Sequence, residues 1–253
     1  YFTASHRQIV GKCQTIGALP RMFLCLRACA FYIGFIAVVL VFGLACSATC
    51  FLPAKQLHAV AATGNFLSLF WLRITCNIKV KITGRENIPP GACVILCNHQ
   101  SSWESYYLQW LLQPASFVLK RELLWIPFFG WSLALLHPIA IKRSNPASAI
   151  RLIFKQGVLR LEEGLKVVIY PEGTRMPPGA LGKFKTGGAA LAARAGVPIL
   201  PVSHNAGEHW ALNEFLKYPG TVCLNIGPTI DTSNNSARAL TDTARSWIDR
   251  SLK

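Results

Sequence analysis

The sequence predicts an α/β domain, with a central mixed sheet covered by helices, preceded by N-terminal membrane-embedded helices. Three observations carry this. From about residue 77 onward, short β-branched apolar runs alternate with longer helical stretches, the order expected of a sheet with helices on its faces. Ahead of them, residues 28–52 form an apolar run without a single charge. Between the two lies a second apolar stretch, residues 55–74, with helical spacing. The boundary is set where this character changes: residues 1–76 as membrane-anchoring helices and 77–253 as the α/β domain.

The run over 28–52 is long enough to cross a bilayer at the helical rise of about 1.5 Å per residue. It has no polar face, which disfavours a buried core helix, and it is too long for the apolar core of a signal peptide. Arg7, Lys12, Arg21 and Arg27 precede it and Lys55 follows, so positive charge on both flanks leaves the orientation ambiguous. Pro53 ends the run. The second stretch carries Leu57, Val60, Phe66, Leu67, Phe70 and Trp71. Two arrangements follow: a helical hairpin dipping into one leaflet, or a first helix that spans and a second that lies at the interface.

Strands are expected at 78–82, 92–97, 116–119, 139–142, 166–170, 199–203 and 221–226. Helices are expected near 102–112, 146–163, 186–195 and 237–252. Gly84 and Pro89-Pro90-Gly91 punctuate the first of these segments. A chain of 253 residues accommodates one large domain, or one domain with a small appendage.

Composition narrows the function. The chain is 52% hydrophobic with mean hydropathy +0.35, and 26 basic residues against 11 acids give a formal net charge of +15. Glu86 is the first acid, yet most of the basic residues also fall after it, so the α/β part is basic in its own right. Such a surface suits an anionic membrane, a phosphorylated ligand or nucleic acid. Nucleic acid is set aside, because no reader motif is present and the charge is spread out. The nine cysteines include Cys25/Cys29, Cys46/Cys50 and Cys93/Cys97, each four apart. All lie in apolar segments without neighbouring ligands. They read as small buried hydrophobes in a reducing compartment, and no metal site is expected.

The stretch Asn98-His99-Gln100-Ser101-Ser102-Trp103-Glu104 sits where a buried strand hands over to a helix bearing Tyr106, Tyr107, Trp110 and Leu111. Chemistry in α/β proteins gathers at that edge of the sheet. A histidine there can take a proton from a hydroxyl, and a carboxylate can fix its tautomer and steady the imidazolium. The bland alternative is a capping box, Ser101-x-x-Glu104, that leaves Glu104 merely structural.

A second apolar strand empties into Pro171-Glu172-Gly173-Thr174-Arg175. Gly173 permits close backbone approach, Thr174 offers a hydroxyl, and Arg175 can grip a phosphate with two parallel hydrogen bonds. Lys183, Lys185 and Gly187-Gly188 then lead into a helix start, a place suited to anions. The alternative for Arg175 is a surface ion pair with Glu172. A third stretch sets the basic pair Lys120-Arg121 before Glu122-Leu123 and the apolar block Pro127-Phe128-Phe129-Gly130-Trp131. It fits a lipid-facing groove or a core turn. Val197-Pro198-Ile199-Leu200-Pro201 alone says only strand start or edge.

In order and spacing these four stretches resemble the glycerolipid acyltransferase family, over about residues 78–205, and the N-terminal helices look similar as well. One departure stands out: the acid after the histidine is usually Asp in that family and is Glu104 here, which leaves open a subgroup with altered substrate preference. The resemblance implies that His99 is the base and Glu104 its partner. It implies that Glu172, Gly173, Thr174 and Arg175 hold the acceptor's phosphate, with Lys120 and Lys185 assisting, and that Leu123, Phe128 and Gly130 border an acyl-chain groove. It implies transfer of a fatty acyl group from a thioester donor, acyl-CoA or acyl carrier protein, to the free hydroxyl of lysophosphatidic acid, without an acyl-enzyme. The donor is a substrate, and no bound cofactor is expected. The implied partners are membrane lipids, the lysophospholipid acceptor and possibly acyl carrier protein; the implied location is the inner (cytoplasmic) membrane, with the catalytic domain on its cytoplasmic face. An oxyanion donor is sought near Gly173 or Gln100. The competing readings are acylation of another lysolipid, such as a lyso-ornithine lipid or glycolipid, and a non-catalytic membrane protein that binds anionic lipid.

Overall fold

The computed structural model describes residues 21–253; residues 1–20, with Arg7 and Lys12, lie outside the described residues. The described residues begin with helix α1 (Arg21–Ala48), of 28 residues, and helix α2 (Ala54–Cys76), of 23 residues. Both are long and apolar enough to cross a membrane. Helix α1 starts earlier than the uncharged run, because Arg27 does not interrupt it. The Arg27 guanidinium donates to the Thr75 carbonyl and lies over the Phe23 ring, so its charge is accommodated within the helix pair.

The two helices run antiparallel along their length. Trp71 Nε1 donates to the Ala30 carbonyl at 3.0 Å, and Gly34 and Gly64 let Trp71 and Phe42 pack against the opposite backbone. The two helices therefore form a helical hairpin. Its outer face is apolar and exposed, with Met22, Leu26, Ile33, Ile36 and Leu40 on α1 and Phe66, Phe70 and Ile74 on α2.

The rest of the chain alternates as expected: β1 (Ile78–Thr83), β2 (Val94–Cys97), α3 (Trp103–Leu111), β3 (Ala115–Lys120), α4 (Phe129–Ala134), β4 (Ile139–Ile141), α5 (Pro146–Glu162), β5 (Lys166–Ile169), α6 (Gly187–Ala195), β6 (Ile199–His204), β7 (Gly220–Ile226) and α7 (Ala237–Ser251). The seven strands form one sheet in the order β1-β7-β6-β2-β5-β3-β4. Strands β6, β2, β5, β3 and β4 are parallel neighbours, and β7 joins β6 antiparallel, so the sheet is mixed. The short helix α4 and the turn before it, residues 121–125, fall in the stretch for which the sequence offered only a groove or a turn.

Strand alternation divides two cores. Ile95, Cys97, Val168, Leu200 and Val202 face Leu108, Trp103 and the helical hairpin through Phe31 and Leu72. Val94, Leu96, Val167, Ile169 and Ile199 face α5, α6 and α7 through Leu161, Leu191, Leu240 and Ala244. The central strands are buried on both faces, which is why they read as continuous apolar runs rather than alternating ones. Gly188, at the start of α6, stands where a Cβ would come within 2.7 Å of Leu96, so the helix approaches the sheet closely there. The hairpin shares a core with the sheet, so its position relative to the edge that bears the chemistry is set by packing.

Candidate active site

The C-terminal ends of β2, β5 and β6, three adjacent strands, deliver His99, Tyr170 to Arg175, and His204 to one edge. His99 Nδ1 lies 2.6 Å from Glu104 Oε1. The same oxygen accepts the backbone N–H of Gln100 at 3.1 Å and of Ser101 at 3.0 Å. The two sequence readings of Glu104 therefore merge, since one carboxylate both caps the turn into α3 and holds the imidazole. The other half of a capping box is absent, because Ser101 Oγ accepts from Trp103 rather than from residue 104.

Glu104 is fully buried. Burial pushes its pKa up, but His204 nearby, the hydrogen bond from His99 and the Ser101 N–H outweigh that and hold it below the usual carboxylate range. With the carboxylate ionised, Nδ1 of His99 carries the proton, which leaves Nε2 as the basic nitrogen. Tyr170 stacks on the imidazole, with ring centroids 4.1 Å apart and planes 11° off parallel. The Tyr170 hydroxyl is tied to Ser105 Oγ at 3.0 Å, and burial, with the Glu104 charge adding to it, raises its pKa well above the ordinary phenol value.

Two residues of this cluster were not singled out from sequence. Tyr170 was read only as the end of a strand, and His204 lies just past the expected end of β6. His204 is buried. Its Nδ1 accepts the Ala206 N–H at 3.2 Å and its Nε2 donates to the Asn98 carbonyl at 3.0 Å. That pattern fits the neutral ring, and burial lowers its pKa in the same direction. Asn98 returns two more bonds to the His204 backbone, so the ends of β2 and β6 are clamped beside His99. Glu104 Oε2 has no hydrogen-bond partner among the described residues, and His204 Nε2 stands 3.9 Å from it.

Glu172 turns its carboxylate to the backbone. Its two oxygens accept the backbone N–H groups of His99 and Gly182, both at 2.8 Å. A carboxylate turned to the backbone in this way staples the 171–182 loop to the histidine, and beside a phosphate it would repel. Burial raises its pKa against the pull of those N–H groups. Arg175 is thereby left without the Glu172 ion pair, and no carboxylate lies within 4 Å of it among the described residues. Gly173 adopts φ +73°, which favours glycine, and a Cβ there would come within 2.9 Å of Lys185 Nζ. Lys185 therefore reaches back over the turn. Thr174 is exposed on the turn, and Lys120 is exposed at the end of β3.

Beside the dyad a cavity of about 290 Å³ opens between the hairpin and the domain. Ser102, Ser105, Tyr170 and Arg175 form its polar end, while Val38, Phe42, Leu119, Leu123 and Leu133 wall its apolar length. Leu123 is among the residues that line this cavity. Phe128 and Gly130 are not part of the lining; Phe129 is. Phe128 instead meets α1, where a Cβ on Gly43 would come within 2.9 Å of its carbonyl oxygen, and Gly130 is pressed against the Leu124 carbonyl. Both position the groove's wall without facing its interior. Lys120 and Lys185 line neither this cavity nor a second one described below. The N–H groups proposed as oxyanion donors are both engaged, that of Gln100 with Glu104 and that of Gly173 with the Tyr170 carbonyl.

His99 held by buried Glu104, near a largely apolar cavity with Arg175 in its lining, is an arrangement that suits an enzyme acting on an amphiphilic substrate. Comparison with known proteins makes this specific. Residues 79–205 match the acyltransferase family model. A 1-acyl-sn-glycerol-3-phosphate acyltransferase of Pseudomonas aeruginosa is 48% identical over 72% of this chain and 72% of its own length. The enzyme of that name from Escherichia coli is 30% identical over 85% and 87%. The crystal structure of the 1-acyl-sn-glycerophosphate acyltransferase of Thermotoga maritima superposes with a TM-score of 0.77 at 25% identity, covering 90% of this chain and 93% of that one. The chain belongs to the acyltransferase family, and it is an enzyme of that class.

Proposed function

We propose that this enzyme acylates the free hydroxyl of lysophosphatidic acid, using a thioester donor, to give phosphatidic acid for phospholipid synthesis. The observation that carries the reading is the 2.6 Å contact of His99 with buried Glu104, with the His99 ring stacked on Tyr170, which lines the apolar cavity. His99 Nε2 takes the proton of the acceptor's hydroxyl as its oxygen attacks the thioester carbonyl. The tetrahedral adduct collapses, the carbon–sulfur bond breaks, and the imidazolium returns its proton to the departing thiolate. Glu104 steadies the imidazolium meanwhile. A base of this kind contributes about 10²–10⁴ in rate, and positioning of both substrates supplies much of the remainder.

Arg175, unpaired at the cavity mouth, is assigned to the acceptor's phosphate, with Lys185 and Lys120 adding positive potential around it. Gly173 and Thr174 shape the turn that presents Arg175. The donor's acyl chain is assigned to the cavity bordered by Leu123. Acyl-CoA and acyl carrier protein both suit the basic surface, since both are acidic. The names of the relatives and the unpaired Arg175 support lysophosphatidic acid over a phosphate-free acceptor. Seated in one leaflet of the cytoplasmic membrane, the hairpin would hold the base at headgroup level on the cytoplasmic face, where lipid acceptor and water-borne thioester meet.

The test is thiol release from acyl-CoA by the detergent-purified protein, with and without lysophosphatidic acid, alongside His99→Ala. Acceptor-dependent release that the substitution abolishes is the expected result. Release with lyso-ornithine lipid but not with lysophosphatidic acid would transfer the activity to a different acceptor. Silence with every acceptor, and with acyl carrier protein as donor, would leave a lipid-binding protein.

A further inference from the structure

Two segments hold His99. The first turn of α3 supplies Glu104, which meets the edge of the imidazole at Nδ1. The segment that follows β5 supplies the rest. Glu172 Oε2 accepts the His99 N–H at 2.8 Å, the Met176 N–H donates to the His99 carbonyl at 2.7 Å, and the Tyr170 ring lies flat against the imidazole. Hydrogen bonds thus hold the backbone and the edge, and a ring holds one face. The bond between the Tyr170 and Ser105 hydroxyls, at 3.0 Å, joins the two segments, because Ser105 follows Glu104 on α3.

One bond in the plane of an imidazole does not fix that plane. The χ2 torsion of histidine is broad, so a ring held only at Nδ1 can rock about its bond to Glu104 and swing Nε2 out of line with a hydroxyl. A parallel ring with its centroid 4.1 Å away removes that freedom on one side. It also acts on charge. The face of an aromatic ring is negative and attracts a cation, so the contact strengthens as the imidazole gains its proton. An interaction that grows between ground state and transition state raises kcat rather than merely tightening binding. General-base transfer by His99 is the reading above. Resting on it, we propose that Tyr170 is a positioning residue of the reaction: its ring sets the plane of the His99 imidazole and steadies the imidazolium, and Ser105 sets the plane of Tyr170 in turn.

Burial keeps the Tyr170 hydroxyl protonated, so the tether to Ser105 persists near neutral pH. Tyr170 also lines the first cavity. It is absent from the lining of a second, a chamber of about 490 Å³ between α1 and the loop over residues 210–215 that shares Ser102, Tyr106 and Arg175 with the first. The ring is therefore both a neighbour of the base and a wall of the cavity assigned to the donor's acyl chain, and the variants below separate the two.

Tyr170→Leu removes the ring and keeps apolar bulk. Tyr170→Phe keeps the ring and removes the tether, and Ser105→Ala removes the tether from its other end. Each is assayed by acceptor-dependent thiol release from octanoyl-CoA and palmitoyl-CoA, with the lysolipid that the wild type uses. Tyr170→Leu should lower kcat by about tenfold or more with both donors, while the acceptor's KM holds. Tyr170→Phe and Ser105→Ala should each cost less, and the double variant no more than the costlier single one, since both remove the same bond. In protein carrying isotope-labelled histidine, the His99 Cε1 proton is identified by its disappearance in His99→Ala. It should resonate upfield in the wild type and in Tyr170→Phe, through the ring current of the stacked aromatic, and lose that displacement in Tyr170→Leu. Wild-type kcat in Tyr170→Leu would overturn the proposal. So would a change confined to the donor's KM and scaled by chain length, which would leave Tyr170 a cavity wall alone. A fall in Tyr170→Phe as deep as that in Tyr170→Leu would do the same, since it would move the effect from the ring to the hydroxyl. If Tyr170→Leu fails to fold, the double variant and the resonance decide, and additive losses or an undisplaced wild-type proton overturn the proposal. A wild type that releases no thiol with any acceptor or donor is a different outcome: it removes the acyl-transfer reading, while the resonance still tests the stack.

Discussion

Glu104 Oε1 receives three donors at once: His99 Nδ1 at 2.6 Å, and the backbone N–H groups of Gln100 and Ser101. One oxygen therefore ties the tautomer of the base to the conformation of the turn that carries it. Glu104→Gln keeps an acceptor for the backbone but removes the charge that steadies the imidazolium. Its kcat is expected to fall by about two to four orders of magnitude, with KM for both substrates little changed. Glu104→Asp keeps the charge and should retain most turnover, and His99→Ala should abolish it in a folded protein. Steady-state thiol release beside circular dichroism checks all three. A Glu104→Gln variant that loses stability but not kcat would return Glu104 to a capping role alone.

The same carboxylate makes a prediction about acid stability. Its folded-state pKa lies below the ordinary carboxylate value, so its ionised form is favoured by folding. Such a group contributes stability that is present above the unfolded pKa and is lost as pH falls through the folded one. The wild type's Tm should exceed that of Glu104→Gln at pH 6 and 7, and the gap should narrow progressively below about pH 4.5. A gap independent of pH would mean that the charge plays no part in it.

Arg175 has no carboxylate partner among the described residues and stands where two cavities meet. Arg175→Ala should raise KM for phosphate-bearing acceptors by about tenfold or more, with a smaller effect on kcat. Arg175→Lys should recover only part of the loss, since a point charge replaces a two-pronged donor. Acceptor titrations at fixed donor check this. An unchanged acceptor KM would remove Arg175 from the phosphate site.

The sequence disclosed what is local and left hidden what is distant. Strands β2, β5 and β6 are short, mostly apolar runs, and the sequence places each to within two residues. His99 and Glu104 lie on one turn, so their pairing could be argued from spacing alone. Glu172 could not be read in that way. Its partners, the N–H groups of His99 and Gly182, come from other parts of the chain, and only the adjacency of β2 and β5 aims the side chain at them. Phe128 and Gly130 stand in the same apolar block as Phe129, and no periodicity tells which of three neighbours faces a cavity roofed by a different helix. The charge-free run opens at Ala28, but α1 begins at Arg21, because Arg27 is satisfied by a carbonyl at the far end of α2.

His204 is the clearest of these hidden contributions. It reaches the Asn98 carbonyl with its ring and the Asn98 side chain with its backbone, more than a hundred positions away in sequence. Its ring is fully buried, so it acts on the reaction through the placement of Asn98, His99 and Glu104. His204→Ala should lower kcat by about tenfold or more while leaving both KM values in place, and His204→Gln, which can still donate to the Asn98 carbonyl, should recover part of it. A variant that merely unfolds more readily would lose active enzyme without this split and without rescue. Equal loss in Ala and Gln variants at unchanged Tm would remove the clamp from the account.

Lys217 offers a test of how the loop over 210–217 is held. Its side chain is almost completely buried. Its Nζ is surrounded by the Tyr32 hydroxyl, the carbonyls of Glu214 and Phe215, and the faces of Tyr32 and Trp210. Burial lowers its pKa to about 8, against the opposing pull of Cys76 and Glu214. The folded state therefore sheds this proton more readily than the unfolded chain does, whose lysines titrate near 10.4. By linkage, the group's contribution to stability is greatest above the unfolded pKa, declines as pH falls from there to about 8, and is constant below. Lys217→Met removes the titration. It also leaves carbonyls without their donor, so its Tm at pH 7 combines two opposed effects. The difference in Tm between wild type and Lys217→Met isolates the titration, because the chain's other groups are common to both. That difference should shift in favour of the wild type as pH rises from 8 to about 10, and should be flat between pH 6 and 7.5. A difference that is flat throughout would mean that Lys217 keeps an ordinary pKa, and that the carbonyl cage offsets the full cost of burying its charge.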